Sequence, residues 1–177
     1  MVLVTVIDVK GRNYMNVIGS TETNGPVIPD NLAVCIDCVS TVILNPQEVK
    51  IMNVALQLVS DEVKQSKTDP SAHGRASILF MAGDRVSLNV EDHVFGEMAR
   101  IVFLPIGRWR RCGLTEIEML ACAVEELSHF IFAIPDGQEM KRLVERLVNT
   151  VSGEGRFYTY SQITDSMATR FAEQYGR

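Results

Sequence analysis

The sequence predicts an α+β fold: one domain over residues 1–177, with a small mixed or antiparallel sheet packed on three to four helices. Three observations lead there. A chain of 177 residues with 46% hydrophobic side chains is the size of one ordinary domain and can bury a sizeable core. Its first half carries short β-branched runs separated by Gly, Asn and Pro. Its second half shows apolar residues at helical spacing behind recognisable helix-start signals.

In chain order, VLVTVIDV (2–9) reads as a strand, and the Gly-, Asn- and Pro-rich 11–31 reads as loop with short strand pieces. LAVCIDCVSTVIL (32–44) is apolar and β-branched, a second strand. It ends at Asn45-Pro46-Gln47-Glu48, where Asn45 caps, Pro46 suits the first helical position and Glu48 completes a capping box. Met52, Ala55, Leu56, Val59 and Val63 then give 46–66 a buried helical face. ASILFMAGD (76–84), DRVSLNVED (84–92) and MARIVFLP (98–105) are three strand candidates, the last stopped by Pro105. GRWRRCG (107–113) reads as a basic loop with Trp109 tucked against the body. Thr115 with Glu118 forms a capping box and Leu114 with Met119 a staple, so a helix runs over 115–133 and stops before Pro135. Asp136-Gly137-Gln138-Glu139 looks like another capped start, followed by the stripe Met140, Leu143, Val144, Leu147, Val148 and Val151. Ile163, Met167, Ala168, Phe171 and Tyr175 mark a last helix.

The formal net charge of −5 argues against nucleic acid or an anionic membrane surface as a partner. The opening apolar run meets Asp8 early and alternates like a strand, which is not the pattern of a signal peptide, and no apolar run approaches spanning length. Cys35, Cys38, Cys112 and Cys122 are too few and too unevenly placed for a disulfide framework, so a reducing, cytoplasmic setting is expected.

The chemistry-bearing stretch is AVEELSHFIFAIPDGQE (123–139). On a helix Glu125 lies four residues, and Glu126 three, before His129, with Cys122 one turn earlier, so these groups form a polar seam beside the apolar stripe Ile117, Leu120, Val124, Leu127 and Ile131. Purely local arrangements account for the same residues: solvated glutamates, a histidine bonded to a neighbouring carboxylate, and Asp136 with Glu139 capping the next helix. A ferritin-like di-metal bundle would need a second Glu-x-x-His, and His73 and His93 supply none.

EELSH also resembles the HExxH signature of zincin metallopeptidases, with Glu125 in place of the first His. EELSHF followed by an acidic residue is similar, too, to a pattern in uncharacterised bacterial or mobile-element proteins. The order helix, strands, helix over about 45–150 resembles a zincin core. The resemblance implies a metal-dependent peptide hydrolase: Glu125 and His129 as ligands of zinc or another divalent metal, Glu126 as the catalytic general base, and Asp136 or Glu139 as the third ligand. Phe132 and Pro135 stand where the longer zincin motif has Gly and its last ligand. A site of one His and two carboxylates is also harder and more anionic than a two-His site, so a weak or absent peptidase activity is expected. The competing expectation is a non-catalytic module for a peptide or protein partner, with the same residues as its polar edge.

Other motifs carry less. Cys35-Ile-Asp-Cys38 has no second CxxC to complete a zinc ribbon, and two thiols in a strand at this spacing point to opposite faces; small buried packing groups is the expected role. The glycines match no phosphate-binding loop, and Ser128 beside His129 is not poised for triad chemistry.

Overall fold

A computed structural model describes residues 2–7, 13–20, 24–83, 88–90, 100–153 and 155–176. In chain order the elements are β1 (Val2–Ile7), β2 (Asn13–Ser20), α1 (Asp30–Ala33), β3 (Ile36–Ser40), α2 (Pro46–Ser66), β4 (Ala76–Phe80), β5 (Leu88–Val90), β6 (Arg100–Leu104), α3 (Ile106–Arg111), α4 (Glu116–Phe132), α5 (Gln138–Asn149) and α6 (Tyr160–Tyr175). The α+β class holds, with four long helices and two short ones among the described residues.

The sheet beneath the helices corrects the expectation of mixed or antiparallel pairing. Strands β3, β4 and β6 form a three-stranded parallel sheet with β4 in the middle, in the register Cys38↔Ile78↔Val102. The reason is the crossover: a 21-residue helix between β3 and β4 returns the chain to the same end of the sheet, so the second strand must run parallel to the first. Strand β4 is buried at all five positions, as a central parallel strand should be. Antiparallel pairing occurs in a separate sheet of order β1-β2-β5.

Two further differences concern local elements. The run 32–44 holds the one-turn helix α1 and only a five-residue strand, and Cys35 falls before that strand. Both Cys35 and Cys38 are free thiols packed on the core, and burial pushes Cys35 up to about 11 and Cys38 to about 12. The basic stretch 107–111 belongs to helix α3, not to a loop, with Trp109 buried beneath it as expected. Gly107 permits this turn: its amide donates to the Met81 carbonyl at 2.9 Å, and a Cβ there would collide with the Ala82 carbonyl. Residues 84–87 and 91–99, including Val86 and His93, lie outside the described residues.

The α2 start follows the sequence closely. Asn45 accepts from the Glu48 amide at 2.9 Å while Glu48 accepts from the Asn45 amide at 2.8 Å, with Pro46 at the first helical position. Glu48 is 2% exposed, and the Arg110 guanidinium from α3 closes on it through Nε and Nη2, each 2.6 Å away. Burial would raise the Glu48 pKa, but the Arg110 bonds, the Asn45 amide and the Arg110 charge outweigh it and hold the carboxyl below the usual range. The core runs from Ile51, Leu56 and Val59 of α2 through Ile78 and Phe80 of β4 to Leu127 and Ile131 of α4 and Val144 and Val148 of α5. Helix α4 therefore lies centrally, against α2, α5, α6 and strand β6. No described helix is long and apolar enough to cross a membrane.

Candidate metal site at the end of the central helix

The helix α4 begins with the expected capping box: Thr115 accepts from the Glu118 amide, and the Glu118 carboxylate accepts from the Thr115 amide at 2.6 Å. Apolar residues at helical spacing bury one face, including Leu120, Val124, Leu127 and Ile131. The opposite side of its last two turns carries the seam. The helix ends at Phe132, and Ala133 takes the left-handed conformation at φ 50°, which swings Ile134, Pro135 and Asp136 back toward the helix.

That reversal builds the site. The Ile134 carbonyl comes within 2.6 Å of His129 Nδ1, and the Asp136 carboxylate within 3.2 Å of Nε2. A carbonyl only accepts, so Nδ1 carries the proton and donates; in the neutral ring Nε2 then holds the lone pair. Two acceptors at 3.2 Å do not attract each other. The pair is favourable when Nε2 is protonated or when a cation lies between Nε2 and the carboxylate. Glu125, one turn earlier, brings its carboxylate to the same point: one ligand atom from each of Glu125, His129 and Asp136 lies within 4.8 Å of the other two. Tetrahedral coordination at about 2.1 Å per ligand separates ligand atoms by about 3.4 Å, so the group must tighten slightly around an ion. Asp136, 95% exposed, is free to make that adjustment, while His129 is 26% exposed.

Of the residues expected at the site, these three are brought together. Glu139 is not: it lies exposed in the first turn of α5, outside the converging group. Glu126 is exposed and not a fourth ligand, but its carboxyl is held above the usual range, by partial burial first and then by the Glu125 and Asp136 charges, against an opposing pull from His129. Cys122 turns aside, its thiol 3.7 Å from Met167 Sδ and raised by burial to about 12, as a packing group would be.

The capping expectation for 136–139 needs correction. Gly137 is the residue at the start of α5, at a positive φ of 153° that favours glycine, and no side chain caps the helix. Asp136 is therefore directed at His129 and not at the α5 amides.

Sequence reasoning missed Tyr160. The first residue of α6, it donates its hydroxyl to Glu125 Oε1 at 2.6 Å. Its pKa is raised strongly, by burial and then by that bond to Glu125, which keeps the phenol a donor. Nothing local signals it, since the contact spans 35 residues.

A groove of about 550 Å³, lined in part by Lys50, Val54, Ile117, Leu120, Val151 and Arg156, lies at the first turn of α4. Thr115 and His129 are about 20 Å apart along the helix axis at 1.5 Å per residue, so this groove is distinct from the acidic and histidine cluster.

No protein-family model, no curated protein and no solved structure matches the chain.

Proposed function

We propose that the chain is a zincin-like, divalent-metal-dependent hydrolase acting on peptides, with a weakened site in which Glu125, His129 and Asp136 hold the ion. The observation that supports this is the convergence of the Glu125 and Asp136 carboxylates on a histidine whose Nδ1 is fixed by a backbone carbonyl. That second hydrogen bond is the usual support of a metal-bound imidazole, because it selects the tautomer and the ring orientation. The donor set of one nitrogen and two or more carboxylate oxygens fits zinc and also harder divalent ions. When bound, such an ion supplies Lewis acidity toward a carbonyl and toward water.

The chain's own groups have distinct parts. His129 and Glu125 come from one helix face and fix the ligand spacing, whereas Asp136 comes from the exposed turn and closes the third side. Glu126, next in sequence to Glu125 and with its carboxyl held above the usual range, is the group assigned to take a proton from an attacking water. Two anionic ligands lower the acidity of the ion, so turnover is slow. In the test, Glu126→Gln retains the metal and loses hydrolysis of an unstructured peptide substrate. If the variant keeps hydrolysing peptides at the wild-type rate, the assigned base is wrong.

One observation favours a second reading. Asp136 is almost fully exposed, and a protonated His129 paired with it, together with Glu125 bonded to Tyr160, satisfies all three groups without an ion. On that reading the chain is a non-catalytic α+β interaction module, its seam a structural edge, and zinc added to the purified protein does not bind.

A further inference from the structure

The position of Tyr160 is fixed from several sides. Its amide donates to Glu145 Oε2 of α5 at 3.0 Å, and the Lys141 ammonium stands 5.7 Å from its ring centroid. Tyr158, two residues earlier, is tied down as well: its amide donates to Asn149 Oδ1 at 2.9 Å, and Asn149 Nδ2 donates to its carbonyl at 2.8 Å. A capping box between Thr159 and Gln162 then sets the start of α6. The phenol that emerges from this frame meets one oxygen of Glu125 and no other hydrogen-bonding group among the described residues. The capping, the α5 anchors and the ring contact need only the backbone and the ring. The hydroxyl is the part they leave unexplained.

We infer that Tyr160 is a positioning residue for the metal site: its hydroxyl holds Glu125 Oε1 so that the other carboxylate oxygen is presented to the cation beside His129 and Asp136. This rests on the cation-binding reading of the same cluster. A glutamate on the rim of a helix samples several rotamers, and a ligand that must be ordered at the moment of binding loses affinity by that cost. A hydrogen bond of 2.6 Å from a buried-side donor removes much of this freedom in advance. It also makes Glu125 a one-oxygen ligand, leaving room for the Asp136 carboxylate. Metal-binding carboxylates are commonly supported by such outer hydrogen bonds, and removing one weakens metal affinity by about 10- to 100-fold.

The experiment is a calorimetric titration of zinc into the full chain, wild type and Tyr160→Phe, with the melting temperature of each metal-free protein measured alongside. Phe keeps the ring, the Lys141 contact and the backbone bonds. The inference predicts zinc affinity at least about tenfold weaker in Tyr160→Phe with the metal-free melting temperature unchanged. It also predicts a zinc-induced change in tyrosine near-ultraviolet absorbance that the variant loses. Equal affinity in the two proteins overturns the inference and leaves the cation site standing. A weaker affinity accompanied by a lower melting temperature overturns it too, because α6 has then loosened as a whole. Wild-type protein that takes up no zinc removes the site itself, and this inference with it.

Discussion

The two ends of α4 use the same residue types to opposite effect. At the first turn, Glu118 is 2% exposed and its oxygens are taken up by the Thr115 amide at 2.6 Å, the Thr115 hydroxyl at 2.8 Å and Arg170 Nε at 3.2 Å. Burial would raise its pKa, but the Ser166 and Thr115 hydrogen bonds and the Arg170 charge together pull it below the usual range. Glu48 repeats the arrangement at the start of α2, with Arg110 in place of Arg170. Near the last turns, Glu125, His129 and Asp136 are half-buried or exposed and converge with an imidazole nitrogen and carboxylate oxygens close to one another. A charged group whose valences are all met inside the protein holds the fold together. One whose valences are left open at a shared point is available to a ligand.

The comparison breaks most visibly at the buried end. Arg110→Ala leaves the buried Glu48 carboxylate without its charge partner and should cost about 1–3 kcal/mol in urea unfolding, less than a fully buried pair because Arg110 is 40% exposed and water can reach that side. Glu125→Gln in metal-free protein should cost far less. Equal losses would mean that Glu125 is as structural as the buried Glu48 pair. The pH signature follows from sign. Glu48 and Glu118 have lowered folded-state pKa values, so their contribution is complete above the ordinary carboxylate pKa of about 4.3 and is lost as pH falls through the lower folded values. Wild-type stability should therefore drop in acid, and the slope should flatten in Arg110→Ala. A smaller effect sharpens the other end: Ala133 sits at φ 50°, where a Cβ is unfavourable, so Ala133→Gly should raise the unfolding free energy by about 0.5–1 kcal/mol. A fall would mean that this conformation carries no strain.

How much of this was legible in the sequence depended on distance along the chain. Both glutamate capping boxes were readable because donor and acceptor are three residues apart, and the α4 and α5 stripes because their period is local. Arg110 and Arg170 were not readable as partners, since those pairs span 62 and 52 residues. Sheet direction does not follow from local pattern: ASILF is apolar except for Ser77, as a doubly covered parallel strand would be, but so short a run does not fix its partners. The charges of RWRR suggest a solvated loop, whereas Ile106, Gly107 and Trp109 bury one side of α3. Asp136 matches a capping pattern, but α5 starts at Gly137 without a side-chain cap and the Asp136 carboxylate lies against His129. Glu125 and His129 were found from helical spacing alone, and Tyr160 only from the fold.

The most direct test of the account is the divalent-metal content of chelator-free protein, purified without a metal-affinity tag and dialysed against zinc, compared with His129→Ala. The account predicts close to one ion per chain in the wild type and its loss in the variant, with the fold intact in both. A wild type without metal, or a variant that keeps the wild-type content, would contradict it.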